Sequence, residues 1–107
     1  MGDLLNVFRL EDTEKSITPG SKQPVAIVQQ NDQLLTLLYT PKGEDLQPPH
    51  DNDEIYVVAR GSGNIEVDGV QESLSVGDAV FVAAKAQHRF SEFSEDFAVW
   101  AVFPGAI

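Results

Sequence analysis

The sequence contains no cysteine, which removes several structural and chemical options at once. Disulfide bonds cannot form, and thiolate ligands for zinc or iron–sulfur sites are missing. Nucleophilic catalysis by a Cys–His pair is excluded for the same reason. Because disulfides are favoured in oxidising compartments, we expect this cysteine-free chain in the reducing cytoplasm.

Basic residues are also scarce, because 7 Lys and Arg stand against 17 Asp and Glu, giving this acidic protein a formal net charge of −10. Such a chain repels phosphate backbones and anionic membrane surfaces, so we expect neither a nucleic acid nor a membrane as partner. No apolar run approaches the length that spans a bilayer. Charges such as Arg9 and Glu11 interrupt the first residues, which therefore lack the apolar stretch of a signal peptide.

Apolar residues make up 42% of the 107-residue chain, enough to form a packed interior. A chain of this length is typical of one domain, which we expect to include all residues. Residues 1–24 are ambiguous, since Leu4, Leu5 and Phe8 would share one face of a short helix and a terminal arm would have the same pattern. We expect the core over residues 25–104.

From residue 25 onward, short stretches rich in branched and aromatic residues alternate with turn signals. The expected strands are 25–30, 33–40, 54–59, 64–67, 70–74, 79–84, 88–93 and 97–103. Asn31-Asp32 predicts a turn between the first two strands, and Asp68-Gly69 is a strong signal for a second hairpin. This pattern, without a convincing internal helix, predicts an all-β fold: a small antiparallel β-barrel or sandwich.

Two strands are apolar at successive positions, AVFVA (79–83) and FAVWAVF (97–103). A barrel has only one interior, so outward side chains such as Trp100 and Val102 need a second cover. Either the N-terminal segment or a second subunit can provide it. We expect a homodimer, with cover by the N-terminal segment as the alternative.

The chain has two histidines, His50 and His88. His50 precedes Glu54 by four residues, and in an extended backbone side chains at that spacing point to the same face. His88 follows a turn and begins a later strand. Two imidazoles and one carboxylate suit a divalent first-row metal and form the facial set of non-haem iron sites. The alternative is that Glu54 is a solvated carboxylate and both histidines are structural.

The segment PPHDNDEIYVVARGSG (48–63) resembles the first sequence motif of the cupin superfamily. His50 matches the second histidine of that motif, Glu54 its glutamate and Gly61 its glycine. The segment GDAVFVAAKAQHRF (77–90) resembles the second motif, which begins with Gly-Asp and has a histidine eleven residues after the glycine.

His88 occupies the position of that histidine, eleven residues after Gly77. The resemblance covers residues 45–104 and implies a small single-domain cupin, a jelly-roll barrel also called a double-stranded β-helix. It further implies one divalent metal (Fe, Mn, Ni or Zn) held by His50, Glu54 and His88.

The chain departs from the first motif at Pro48, which replaces the first histidine and cannot bind metal. The family pattern has four protein ligands, whereas this chain supplies three. Gln47, Asp51 and Asp53 lie nearby, but their strand parity is opposite to that of His50. One of them could still turn inward, because this stretch need not be a regular strand.

The second motif has Lys85 in place of its glycine. Lysine adopts a left-handed backbone less readily than glycine, so we expect this turn to differ from the family pattern. Tyr56, Phe81 and Phe90 are candidates to line the pocket, although an aromatic residue in a barrel is more often part of the core.

Three functions remain open. The first is a metal-dependent enzyme, similar to a dioxygenase or isomerase, acting on a small organic molecule. The second is a non-catalytic protein that binds a small ligand in the barrel without metal, and the third is a structural cupin whose site has decayed. The fold does not distinguish these three functions, because one scaffold supports many chemistries. We expect the metal-binding form, with a small-molecule ligand or substrate as partner.

Overall fold

The computed structural model of the protein describes residues 4–22, 24–45 and 47–104. Within these ranges the chain forms one short helix and eight strands, which confirms the predicted all-β fold. The elements are α1 Leu10–Lys15, β1 Val25–Gln30, β2 Leu34–Tyr39, β3 Glu54–Arg60, β4 Ser62–Val67, β5 Val70–Ser75, β6 Ala79–Val82, β7 His88–Ser91 and β8 Ala98–Pro104.

The described strands form two antiparallel sheets. A five-stranded sheet has the order β1-β2-β8-β3-β6, and a three-stranded sheet has the order β5-β4-β7. Large side chains from both sheets, among them Tyr56, Val99 and Phe90, meet in one buried core. Burial alternates along β3, where Tyr56 is buried and Ile55 is exposed, as expected for a strand with one face inward.

The chain passes from the first sheet to the second at Gly61, between β3 and β4. Gly61 has a φ of +77°, and a Cβ atom there would lie 2.7 Å from Asp96 Oδ1 and 3.0 Å from the Phe97 Cα. Only glycine combines this conformation with so close an approach. The motif glycine therefore makes the crossing between the two sheets possible.

Both predicted hairpins are present. Asp68 and Gly69 have φ values of 49° and 83°, as a tight two-residue turn requires, and they join the paired residues Val67 and Val70. The boundary of β4 differs from the prediction, because this strand begins at Ser62 rather than after the Gly-Ser-Gly segment.

The N-terminal helix begins at Leu10, beyond the apolar residues that suggested a helix. Leu4, Leu5 and Phe8 lie outside it and are exposed, so their predicted shared helical face does not form. α1 contacts β1, and Glu14 forms an ion pair with Arg60. Among the described residues, no helix has the length and apolar character needed to cross a membrane.

The outer face of the five-stranded sheet is unevenly covered. Ala98 is fully buried there, and Trp100 and Val102 are half-buried. Farther along the same face, Ile55 is 43% exposed and Phe81 is 61% exposed. These two residues are direct neighbours across β3 and β6, so they form a continuous apolar patch.

Candidate metal site

Glu54 is the first residue of β3 and points into the barrel, where its side chain is 1% exposed. Neither carboxylate oxygen accepts a hydrogen bond from the part of the chain that the structure describes. A buried carboxylate without compensation is costly, so a positive charge is expected beside it.

His88 begins β7 and is equally buried, with a side chain 1% exposed. Its Nδ1 lies 2.9 Å from the Ala86 carbonyl oxygen. Because a carbonyl only accepts, Nδ1 must carry a proton, and Nε2 of a neutral ring then presents a lone pair. This Nε2 atom lies 3.0 Å from Glu54 Oε1.

His88 Nε2 and Glu54 Oε1 are therefore two acceptors facing each other, unless a proton or a metal ion lies between them. The distance is that of an ion pair, although the contact does not have hydrogen-bond geometry. Burial lowers the pKa of His88, but Glu54 and the Ala86 carbonyl outweigh this effect and raise the pKa above its ordinary value. A proton on His88 would supply, in the metal-free protein, the positive charge that a buried Glu54 carboxylate requires.

His50 lies in the irregular stretch before β3 and is more accessible, with a side chain 28% exposed. Its Nε2 is 3.5 Å from Glu54 Oε1, and its ring packs edge-on against Phe103 at a centroid distance of 5.0 Å. The candidate ligand atoms of His50, Glu54 and His88 all lie within 4.8 Å of one another. The structure thus brings together the three residues that the sequence predicted.

Tyr56 and Gln47 extend this cluster. The Tyr56 hydroxyl lies 3.0 Å from His88 Nε2 and 3.0 Å from Gln47 Oε1. Burial, followed by the charge of Glu54, raises the pKa of Tyr56 far above its usual value. Tyr56 therefore stays a neutral phenol that donates a hydrogen bond and does not act as a base. Its predicted place in the pocket wall agrees with the structure.

Asp45 supports this cluster through hydrogen bonds, and the sequence analysis did not identify it. This buried carboxylate accepts hydrogen bonds from the Tyr39 hydroxyl at 2.5 Å, the Phe90 amide at 2.8 Å and the Gln47 amide group at 2.9 Å. Burial, followed by Asp45, also raises the pKa of Tyr39. Asp45 lies in a loop with no strand periodicity, so the sequence carried no signal for its direction.

Phe81 is a correction to the predicted pocket. It pairs with Ile55 across the sheet and is exposed on the outer face, while the next residue, Val82, pairs with Glu54 and points inward. Phe90 lies deeper than the pocket wall, in the core against Tyr56, with ring centroids 4.9 Å apart.

Asp51 and Asp53 also lie outside the cluster. Both are exposed, and Asp53 Oδ1 accepts a hydrogen bond from the Ala84 amide at 2.8 Å. Lys85 has a φ of +67°, so the glycine-like turn of the second motif is retained in spite of the substitution. Its amide donates to the His50 carbonyl at 2.6 Å and joins the two motifs.

A cavity of about 420 Å³ opens above the cluster, within the size range of small-molecule sites. Its lining consists of Lys22, Val25, Leu37, Tyr39, Gln47, Pro48, His50, Glu54, Tyr56, Ala101 and Phe103. The combination of a largely apolar wall with one polar cluster is typical of sites for small organic ligands.

The donor set fits a divalent ion. Glu54 contributes a buried carboxylate with unpartnered oxygens, and His50 and His88 direct Nε2 atoms toward it. Imidazole and carboxylate are common ligands of first-row divalent metals. An ion here would supply the positive charge that otherwise comes from a proton.

Fold and site together define a small jelly-roll barrel with a candidate metal centre at its mouth. The chain belongs to the cupin domain family, whose sequence profile matches residues 35–103. SCO3923, an uncharacterized protein of Streptomyces coelicolor, is 29% identical over 100 residues, covering 92% of this chain and 95% of that protein.

Solved structures show the same fold. An uncharacterized conserved protein with a double-stranded β-helix domain from Klebsiella pneumoniae superposes with a TM-score of 0.78 at 15% identity, covering 95% of this chain and 91% of its own. An RmlC-like cupin from Shewanella frigidimarina gives a TM-score of 0.72 at 19% identity, with coverage of 95% and 93%. At these identities the likeness concerns the fold and not the activity.

Proposed function

We propose that this cupin binds one divalent first-row metal through His50, Glu54 and His88 and acts on, or binds, a small organic molecule in the cavity above them. The observation that carries the proposal is the environment of Glu54. Its buried oxygens accept no hydrogen bond from the described residues, and they face the Nε2 atoms of both histidines. A divalent cation would satisfy all three groups at once.

Each neighbouring group has a part in this function. When bound, the metal supplies Lewis acidity or, if it is iron, oxygen activation. The Ala86 carbonyl holds the His88 ring in the tautomer that leaves Nε2 free for a metal. Tyr56 remains a hydrogen-bond donor beside the site, and the apolar side chains of Leu37 and Phe103 limit the access of water.

Metal analysis tests the proposal directly. We expect protein purified without added metal to carry a first-row ion, and the metal-stripped protein to gain thermal stability when Fe²⁺, Mn²⁺, Ni²⁺ or Zn²⁺ is added. At an ion concentration one hundred times Kd, the gain is about 2.7 kcal/mol. His88→Ala and His50→Ala should abolish both the bound metal and the shift.

Asp53→Asn is the matched control, because Asp53 is exposed and its oxygen can still accept from the Ala84 amide after the substitution. This variant should bind metal like the wild type. Substoichiometric metal in the wild type, with no thermal shift for any of the four ions, would overturn the proposal. It would instead favour a metal-free ligand-binding cupin, which Pro48 and the existing hydrogen bonds around Tyr56 support.

We also propose that the protein is a homodimer formed through the outer apolar patch of Ile55 and Phe81. These exposed side chains continue the half-buried surface around Trp100 and Val102. Light scattering at micromolar concentration should give twice the chain mass of 11.7 kDa. Phe81→Glu should produce monomers, whereas Val70→Glu, a matched change at an exposed position on the three-stranded sheet, should not. A wild-type mass of one chain would contradict the dimer.

A further inference from the structure

Gln47 is adjacent to Pro48, the residue that replaces the first histidine of the motif. Strand parity predicted that its side chain would point away from the site. The structure differs, because Gln47 lies in an irregular segment and turns inward. Its Oε1 atom is 3.2 Å from His50 Nε2 and 3.0 Å from the Tyr56 hydroxyl.

The orientation of the Gln47 amide is fixed by chemistry. Its Nε2 atom lies 2.9 Å from Asp45 Oδ2, and a carboxylate can only accept hydrogen bonds. The NH₂ group must therefore face Asp45, which directs the carbonyl oxygen toward His50. Asp45 is itself 7% exposed and is held by the Phe90 amide and the Tyr39 hydroxyl.

The distances around His50 and Glu54 match those between ligands of one ion. Adjacent ligand atoms of a first-row divalent metal, each about 2.1 Å from it, are separated by roughly 3.0 to 3.4 Å. Two of the observed separations lie in this range, 3.2 Å from His50 Nε2 to Gln47 Oε1 and 3.0 Å from His88 Nε2 to Glu54 Oε1. The third, 3.5 Å from His50 Nε2 to Glu54 Oε1, is slightly longer. The Gln47 oxygen is therefore as close to His50 Nε2 as a neighbouring ligand of the same ion would be.

We propose that Gln47 Oε1 is the fourth protein ligand of the metal site, in place of the histidine that Pro48 removes, and that Asp45 holds it in position. This inference rests on the proposed metal function. The resulting set contains two imidazole nitrogens and two oxygens. Because an amide oxygen is a harder donor than imidazole, this set favours Mn²⁺ more than a three-histidine site does.

Calorimetric titration of metal-stripped protein with Mn²⁺ tests the assignment. We expect Gln47→Ala to weaken Mn²⁺ binding at least about ten-fold, the scale of losses seen even for residues that only support ligands. Gln29→Ala is the control, since the Gln29 amide oxygen also accepts a side-chain hydrogen bond, from Thr36 on β2, and Gln29 is not among the residues that line the cavity. It should bind Mn²⁺ like the wild type.

The variant Gln47→Glu distinguishes two roles of Gln47: a ligand of the metal, or a residue that only positions His50. As a ligand, the new carboxylate loses the donor to Asp45 as well, but its negative charge acts directly on the ion and outweighs that loss, so Mn²⁺ should bind at least as tightly as to the wild type. In a purely positioning role, the change removes the donor to Asp45 and places two carboxylates together, so binding should weaken. The visible absorption of the Co²⁺-loaded protein should also change in Gln47→Ala but not in Gln29→Ala.

Circular dichroism establishes that each variant is folded before titration. Equal Mn²⁺ affinities of wild type and Gln47→Ala, or weaker binding by Gln47→Glu, would overturn the ligand assignment while leaving the metal function intact. A wild-type protein that binds neither Mn²⁺ nor Co²⁺ would overturn the metal function, and this inference with it.

Discussion

The two histidines occupy contrasting halves of the candidate site. His88 lies on a regular strand, is 1% exposed and has both ring nitrogens engaged, by the Ala86 carbonyl on one side and by Glu54 and Tyr56 on the other. His50 lies in the irregular segment before β3, is 28% exposed and faces the cavity.

This difference indicates that the part of the site around His88 contributes to folding, whereas the part around His50 contributes to binding. The His88 half belongs to the barrel core, so its geometry is fixed by folding, and a proton on His88 would stabilise the buried carboxylate of Glu54. The His50 half is formed by a loop that Gln47 and Lys85 hold through single hydrogen bonds. Perturbing His88 should therefore affect folding, whereas perturbing His50 should mainly affect binding.

Removing each histidine in the metal-free protein gives the largest expected contrast. His88→Ala leaves a buried carboxylate without its cation, and breaking such a pair costs about 3 kcal/mol or more. His50→Ala removes a more exposed side chain and should cost about 1 kcal/mol. Urea unfolding in the presence of a chelator measures both free energies.

The double variant Glu54→Gln, His88→Ala is the control for this contrast. It removes the uncompensated charge and should recover part of the loss of His88→Ala. Equal losses for the two single histidine variants would refute the division into a core half and a loop half.

The effect of pH sharpens the same contrast. The pKa of His88 is raised in the folded state, so its proton stabilises the metal-free fold fully below the unfolded value of about 6.5. That contribution is lost as the pH rises through the folded pKa. In the metal-free wild type, stability should thus fall from pH 6 to pH 9 relative to Glu54→Gln, which lacks the carboxylate that raises the pKa.

Metal binding should have the opposite dependence, because protons compete with the ion for the Nε2 atoms of both histidines. Mn²⁺ affinity should therefore weaken as the pH falls toward about 6. Metal-free stability that rises with pH relative to Glu54→Gln would show that His88 does not carry the charge beside Glu54.

Sequence reasoning succeeded where the backbone is regular. Turn chemistry placed the hairpin at Asp68-Gly69 correctly. The parity rule put Glu54 on the same face as His50, and the two side chains do meet, although residues 51 and 52 form a bend and not an extended strand. The same rule was wrong for Gln47, because parity has no meaning in the irregular backbone around two adjacent prolines. Phe81 was misassigned because its strand is apolar at successive positions, so the sequence does not show whether Phe81 or Val82 points inward. The pairing of Val82 with the inward residue Glu54 decides this.

The smallest expected effect concerns Lys85, where the two halves meet. Lys85 has a φ of +67°, and a left-handed backbone costs a non-glycine residue about 1–2 kcal/mol. Lys85→Gly removes that strain. Glycine also raises the conformational entropy of the unfolded chain, which lowers stability by about 0.4–1 kcal/mol, so the net stabilisation should be about 0.5–1 kcal/mol. The hydrogen bond to the His50 carbonyl comes from the backbone amide and survives, so Mn²⁺ affinity should stay within about two-fold. Lys85→Ala keeps the strain and should not gain stability in urea unfolding; an equal gain would trace the effect to the lysine side chain and not to the backbone.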